Sequence, residues 1–126
     1  EAARLFGCSV AEIESDRLLP AQCLVKRFVG VVVLKGAGTI NAADHHPLAI
    51  IDAGNAGMAR GGMGDVLSGI IGALLGQKFT PYDAACVGSV AHGPAADLLA
   101  ARYSARVMLA TDLFTTLRRI VNPDVI

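Results

Sequence analysis

A glycine-rich segment at residues 55–65, with the sequence NAGMARGGMGD, leads directly into an apolar stretch at residues 66–75. Its four glycines allow tight turns and a close approach of the backbone to a ligand. The apolar stretch favours a helix, whose free N–H groups and positive dipole end would face the loop. Such a helix start suits a phosphate or a developing oxyanion. The segment therefore predicts an anion site, with Asp65 at the junction as a base or a metal ligand.

A second glycine loop at residues 35–39, KGAGT, follows an apolar, largely β-branched run at residues 29–34. The run is typical of a strand that is buried on both faces in a parallel sheet. Ligands of open α/β sheets bind beyond the carboxyl ends of such strands. Lys35 could therefore meet a phosphate, and Thr39 offers a hydroxyl group. For both loops, a turn in which the glycines only permit backbone geometry stays the alternative, and neither loop matches a P-loop or a dinucleotide fingerprint.

The remaining sequence predicts helices and two short strands. A helix is already in progress at residues 1–5, and a capping box at residues 9–12 starts another, which runs toward Phe28 with a restart near Asp16. Two strands at 39–41 and 48–51 flank a polar turn. Three further helices are expected: one from Asp65 to about Gly76 that is buried nearly all round, one that starts at 80–83 and kinks at 93–94, and one from 111–112 with apolar residues on one side (Leu113, Phe114, Leu117, Ile120, Val121).

This mixture of strands and helices favours a layered α/β domain. One parallel strand cannot form a sheet alone, so we expect the chain to be the C-terminal part of a larger domain.

Composition excludes several classes of function. Lys plus Arg and Asp plus Glu both number 11, so the formal net charge is zero and no basic patch indicates nucleic-acid binding. No apolar stretch is long enough to predict a membrane span. The three scattered cysteines are typical of reduced thiols in a cytoplasmic protein. Asp44, His45 and His46 are interpreted as a solvated turn, with metal binding as the alternative, and His92 as a packed or hydrogen-bonded helix residue.

Together the two loops resemble the ribokinase-like superfamily and, more closely, the ADP/ATP-dependent NAD(P)H-hydrate dehydratase family. The family pattern is roughly LKGAGT, then GNPGMATGGTGDVLSGIIAALLAQG, then an alanine-rich helix with an HG pair. In this chain these segments stand at residues 34–39, at residues 54–77 and at His92-Gly93. The similarity also covers residues 2–5 and 16–17 at the front and residues 110–113 near the end.

The resemblance implies the C-terminal portion of a ribokinase-like three-layer α/β/α domain, with the whole chain 1–126 in that domain and its N-terminal half missing. The implied enzyme is a lyase that uses a nucleotide to dehydrate the S form of hydrated NADH or NADPH, by phosphorylating its hydroxyl and then eliminating the phosphate. Two alternatives stay open. One is an ATP-dependent small-molecule kinase of the same superfamily, such as a hydroxyethylthiazole kinase or a sugar kinase; the other is an inactive nucleotide-binding fragment.

The resemblance also implies site residues. Asp65 would contact the hydrated nicotinamide and act as base, and the backbone N–H groups of Gly62, Met63 and Gly64 would form the anion hole. The residues that would bind ADP or ATP are Lys35, Gly36, Ala37, Gly38, Thr39, Asn55, Ala56, Gly57, Met58, Ala59, Arg60, Gly61, Gly62, Met63 and Gly64. Arg60 and Met63 stand where the family usually has threonine.

The implied cofactors and partners follow from the same resemblance. Mg²⁺ is expected on the nucleotide phosphates, without protein ligands of its own. The expected partners are the small-molecule substrate, the nucleotide, the missing half-domain, an N-terminal epimerase domain of the kind often fused to this family, and further copies of the chain in a homo-oligomer. No nucleic acid and no membrane are expected.

Overall fold

The computed structural model describes residues 1–122 of the chain. Within that part it contains six α-helices, three strands and two 3₁₀ turns. In chain order they are α1 (Ala2–Phe6), α2 (Val10–Ser15), α3 (Leu18–Phe28), β1 (Val32–Leu34), β2 (Thr39–Ala42), β3 (Ala49–Ile51), a 3₁₀ turn (Ala56–Met58), α4 (Met63–Gly76), α5 (Pro81–Tyr103), a second 3₁₀ turn (Ala110–Asp112) and α6 (Leu113–Val121).

Local side-chain hydrogen bonds mark the starts of α2 and α3. The capping box is confirmed, because the Glu12 N–H donates to the Ser9 hydroxyl at 3.2 Å and the Ser9 N–H donates to the Glu12 carboxylate at 2.8 Å. The restart near Asp16 is also confirmed. Its carboxylate accepts the N–H groups of Leu18 at 3.1 Å and Leu19 at 3.3 Å, so α3 starts as a separate helix.

The three strands form one antiparallel sheet in the order β1-β2-β3. The two short strands on either side of the polar turn are thereby confirmed. The prediction of a parallel strand over residues 29–34 that is buried on both faces is wrong. Val29 ends α3 instead, with φ of 50° and its N–H on the Val25 carbonyl at 2.9 Å, and it is 88% exposed. Only three residues are left for β1, which lies at an edge of the described sheet.

Helices cover both faces of this sheet. On one face, Ile40 and Ala42 of β2 pack with Ala21 and Val25 of α3. Asn41 points to the other face because side chains alternate along a strand, and there it meets α5. The layered α/β arrangement is therefore confirmed, with the sheet between α3 and α5.

Helix α4 departs from its prediction in two ways. It begins at Met63 rather than at Asp65, so Asp65 lies in its first turn. It is also not buried all round: of its residues only Met63 and Leu67 are buried, and Leu75 is 43% exposed. The uncovered face borders a cleft of about 890 Å³ that β1 and the N-terminal helices line from the other side. The helix is less buried than predicted because the part of its apolar surface that borders the cleft has no element packed directly against it among residues 1–122.

The last two helices complete a core with α4. Thr80 caps α5 as predicted, accepting the Asp83 N–H at 3.2 Å, and α5 continues as one helix through Pro94; the predicted kink stays a prediction. The final helix starts at Leu113, after the second 3₁₀ turn, rather than at 111–112. Of its apolar side, Leu113 and Leu117 join Met63 in the core, whereas Phe114 and Val121 are more than half exposed. None of the helices in the described part has the length and apolar character that a membrane span needs.

Candidate active site

An arginine outside the predicted motif shapes the first glycine loop. The Arg17 guanidinium donates hydrogen bonds to the carbonyls of Leu34 at 3.0 Å, Ala37, and Gly38 at 2.8 Å. A Cβ atom at Gly36 would lie 2.6 Å from the Arg17 Nη2, so only glycine leaves room for this side chain. The planar guanidinium can serve several carbonyls at once because it carries five N–H donors in a fixed arrangement. Arg17 belongs to the segments that resemble the dehydratase family, but no role was predicted for it.

Lys35 connects the two glycine loops. A Cβ atom at Gly64 would lie 3.9 Å from the Lys35 Nζ, which places the ammonium group at the first turn of α4. Partial desolvation lowers the pKa of Lys35 below its ordinary value, and the negative charge of Glu1 opposes this shift. Lys35, Gly64 and Asp65 all line the same cleft. The structure therefore brings these three predicted site residues together.

The start of α4 has the features of an anion site. Gly62 is its N-cap residue with φ of 88°, a conformation that favours glycine. The first helical hydrogen bond runs from the Val66 N–H to the Gly62 carbonyl at 3.0 Å, so the N–H groups of Gly62, Met63 and Gly64 have no partner within the helix. These are the groups that the family resemblance implies as the anion hole.

Hydrogen bonds to α5 and to the segment that follows it hold the rest of the second loop. The Gly54 N–H and the Asn55 side chain both donate to the Asp97 carboxylate of α5, at 2.8 and 2.9 Å. Farther along, the Arg60 guanidinium donates to the Met108 carbonyl at 3.4 Å. Arg60 therefore contacts the protein's own backbone in this structure. Its predicted contact with a phosphate stays a prediction.

The other predicted nucleotide-binding residues all lie outside the lining of the cleft. They are residues 36–39, which come directly after Lys35 in the chain, and residues 55–63, which come directly before Gly64. Met63 differs from the rest because its side chain is completely buried in the core with Leu113 and Leu117. It has only its backbone N–H to offer to a ligand.

A buried pair of polar side chains, Ser89 and Asn41, was not predicted from the sequence. The Ser89 hydroxyl donates to the Asn41 Oδ1 at 3.2 Å, between α5 and β2. The Asn41 Nδ2 and the Nε2 of His92, one turn farther along α5, are buried without a hydrogen-bond partner among residues 1–122. Desolvation, and next the positive charge of Lys35, lower the pKa of His92, while the Met63 backbone opposes the shift. His92 is 3% exposed, which confirms the packed helix residue.

The histidine pair lies away from this site. His45 and Asp44 are exposed at the tip of the β2–β3 hairpin, and the His46 ring lies 4.3 Å from the ring of Tyr82. No group of three His, Cys, Asp or Glu side chains that could hold a metal ion occurs among the residues described. The solvated turn is therefore the better description of these residues.

Comparison with known proteins supports one family. The profile of the NAD(P)H-hydrate dehydratase family matches residues 1–119. The chain is 76% identical over 125 residues to the bifunctional NAD(P)H-hydrate repair enzyme of Escherichia coli, covering 99% of the chain and 24% of that relative. It is 44% identical over 99 residues to the ADP-dependent (S)-NAD(P)H-hydrate dehydratase of Neisseria meningitidis, covering 79% of the chain and 33% of that relative.

A solved structure shows the same fold. The ADP/ATP-dependent NAD(P)H-hydrate dehydratase of Bacillus subtilis, co-crystallised with ATP/Mg²⁺ and soaked with CoA, superposes with a TM-score of 0.89 at 30% identity, covering 96% of this chain and 45% of that one. The fold is thus that of the ribokinase-like dehydratases, and the chain spans about a quarter of the length of the curated bifunctional relatives from Escherichia coli and Vibrio cholerae that it matches. From its matched profile, its relatives and its fold, the chain belongs to the NAD(P)H-hydrate dehydratase family.

Proposed function

We propose that the protein containing this chain dehydrates the S form of hydrated NADH or NADPH, with ADP or ATP as phosphate donor. The observation that carries the proposal is the approach of the Lys35 ammonium to the first turn of α4, in a cleft that Asp65 also lines. A cation and unpaired helix N–H groups at one point favour a phosphate. A carboxylate beside them supplies a base for the hydroxyl that is to be phosphorylated.

The proposed reaction has two steps. The substrate hydroxyl attacks the terminal phosphoryl group, Asp65 accepts the hydroxyl proton, and the bond from that phosphorus to the nucleotide breaks as the new O–P bond forms. The N–H groups at the start of α4, together with Lys35, stabilise the negative charge on the transferring group. Phosphate then leaves with the electrons of the C–O bond, and loss of a ring proton restores the double bond of NADH or NADPH.

The residues present fit a magnesium ion that is bound chiefly through the nucleotide. Mg²⁺ is usually held by one or two carboxylates together with substrate phosphates rather than by a protein cage. The cleft offers Asp65 near the start of α4, and no cage of three acidic, His or Cys ligands exists within residues 1–122. When bound, the ion neutralises phosphate charge.

The chain is proposed to be the C-terminal part of its domain, with the N-terminal half missing. Three features support this: the uncovered face of α4, the free edge of β1 within the described sheet, and the wide cleft between them. We expect the missing half-domain to fill that space and to complete the substrate pocket, so the isolated chain should be inactive. An upstream epimerase domain, assembly into a homo-oligomer and a cytoplasmic location are further expectations.

The deciding experiment measures recovery of the reduced-nicotinamide absorbance. The intact protein is given hydrated NADH, Mg²⁺ and either ADP or ATP, and the preferred nucleotide identifies the phosphate donor. Asp65→Asn should lower the rate by at least about a hundredfold, because it removes the base. Asp83→Asn is the matched control, since Asp83 is the third residue of α5 as Asp65 is of α4, and it does not line the cleft.

The alternatives give different results in the same assay. A phosphorylated small molecule without recovery of absorbance would identify a kinase of the ribokinase-like superfamily. Nucleotide binding without either reaction in the intact protein would identify a nucleotide-binding protein without this activity. A full rate in Asp65→Asn would remove Asp65 from the mechanism.

A further inference from the structure

Asp97 on α5 receives two hydrogen bonds from the start of the second glycine loop. Its Oδ2 accepts the backbone N–H of Gly54 at 2.8 Å, and its Oδ1 accepts the side-chain amide of Asn55 at 2.9 Å. Both oxygens of one carboxylate thus hold two consecutive residues of the loop. Neither the sequence pattern nor the proposed reaction assigns Asp97 a task.

The Asn55 amide passes this constraint on along the loop. An ionised carboxylate can only accept hydrogen bonds, so the NH₂ group of Asn55 must face Asp97. The Asn55 Oδ1 then faces the Gly57 N–H, which can only donate, and the two are 3.0 Å apart. This bond caps the 3₁₀ turn Ala56–Met58. Asp97 therefore selects the orientation of Asn55, and Asn55 in turn fixes the turn that follows.

Close packing keeps this part of the loop against α5. Gly93 lies one turn before Asp97, and a Cβ atom there would be 2.9 Å from the carbonyl oxygen of Ala53. Gly57 is confined by the segment that follows α5, because a Cβ atom there would lie 2.5 Å from the Ala105 carbonyl oxygen. The loop backbone thus lies directly on α5 before it reaches the start of α4.

We propose that Asp97 is a positioning residue, which orients the glycine loop of the nucleotide site through Gly54 and Asn55. This inference rests on the proposed function, because the loop is there assigned to ADP or ATP. Asp97 does not itself touch the reacting atoms. Its effect on the reaction runs through the position of the loop relative to the N–H groups at the start of α4, where small displacements are costly.

The test is an exchange of the two side chains in the intact protein. Asp97→Asn alone leaves its amide able to accept from only one of its two partners, and Asn55→Asp alone places two carboxylates face to face. In the double variant, the amide at position 97 donates to the carboxylate at position 55, whose other oxygen accepts the Gly57 N–H. The carbonyl oxygen of the amide at position 97 accepts the Gly54 N–H. All three hydrogen bonds are restored, and only the bond between positions 97 and 55 has its donor and acceptor reversed.

The readouts are the KM for the nucleotide, kcat, and the hydrogen exchange of the backbone amides of residues 54–57. We expect each single variant to raise the KM for the nucleotide about tenfold or more, because it breaks charge-assisted hydrogen bonds. The double variant restores these bonds, so its KM should lie within about threefold of that of the unmodified protein. Asp83→Asn, the same substitution on the same helix, should leave KM and loop exchange unchanged. Asn55→Ala cuts the same link from the loop side and replaces Asp97→Asn if that variant does not fold.

The outcomes separate this inference from the proposed function. A double variant that is no better than the single variants, or an Asp97→Asn protein with unchanged nucleotide KM and loop exchange, would overturn the role of Asp97. Amide exchange needs no ligand, so it reports on the loop even if the intact protein neither binds nucleotide nor dehydrates the substrate. In that case, faster exchange at residues 54–57 in Asp97→Asn than in the unmodified protein would support the role of Asp97 in holding the loop. The proposed function alone would then fail.

Discussion

Removal of the Arg17 guanidinium should destabilise the first glycine loop by an amount that its contacts predict. Two of its hydrogen bonds, to the carbonyls of Leu34 and Gly38, lie in part-buried surroundings, and the third, to Ala37, is exposed. Bonds from a charged donor contribute about 1.5 kcal/mol each or somewhat more. Counting the two part-buried bonds, Arg17→Ala should lower the free energy of unfolding by about 3 kcal/mol.

The geometry of the guanidinium makes a further distinction. Lysine keeps the charge but cannot present several N–H groups in a fixed plane, so Arg17→Lys should lose about half as much, roughly 1.5 kcal/mol. The ion pair of Arg17 with Glu14, at 3.8 Å and exposed on the glutamate side, should contribute little. Glu14→Gln is therefore the control and should change the free energy of unfolding by less than about 0.5 kcal/mol.

A double-mutant cycle with Gly36 tests the contact directly. In the unmodified protein, Gly36→Ala places a methyl group 2.6 Å from the Arg17 Nη2 and displaces the guanidinium from its carbonyls. In the Arg17→Ala background these contacts with the guanidinium are gone, and the same substitution should cost much less. Urea unfolding of the four intact proteins measures the coupling. Additive effects of the two substitutions, or an Arg17→Lys variant as stable as the unmodified protein, would refute the reasoning.

Three further predictions concern α4 and α5. Because burial lowers the pKa of His92 from its ordinary 6.5, the stability that neutral His92 contributes should be fully present above pH 6.5 and should be lost as the pH falls toward the lowered pKa. In acid unfolding curves, His92→Gln should flatten this pH dependence, whereas His45→Gln, a substitution at an exposed position, should not. Gly93→Ala should push the Ala53 carbonyl, 2.9 Å from the new methyl group, off α5 and raise the nucleotide KM, whereas Gly69→Ala on the open face of α4 should leave it unchanged. Met63→Ala should cost about 2–5 kcal/mol in urea unfolding because Met63 is fully buried; unchanged stability would contradict its place in the core.

The local hydrogen-bonding patterns were readable from the sequence. The Ser9 capping box, the Thr80 cap and the two short strands around the polar turn depend on residues close together in the chain, and each was confirmed. The same holds for the glycine loop that precedes a helix. Its conformation is set by the backbone freedom of residues such as Gly62, and this freedom is a property of the residue itself.

Errors occurred where distant elements decide the outcome. The run at 29–34 has the composition of a buried strand, yet Val29 ends α3 and β1 pairs antiparallel at the edge of the described sheet. Helix α4 is apolar on nearly every side, and only its contacts with α5 and α6 determine which side is buried. Hydrophobicity indicates that a face will be covered but does not identify the element that covers it.

The sequence by itself determined the two glycine loops, the helix start that follows the second loop and the carboxylate at Asp65, because glycine placement and helix capping act over a few residues. Only the tertiary structure brought Lys35 to Gly64 and set Arg17 and Asp97 behind their loops. Arg17 lies 17 or more residues from the carbonyls it holds, and Asp97 lies 42 residues from Asn55. A charged residue that holds a loop from such a distance leaves no local pattern, since four of these five partners, all except the Asn55 amide, are ordinary backbone groups.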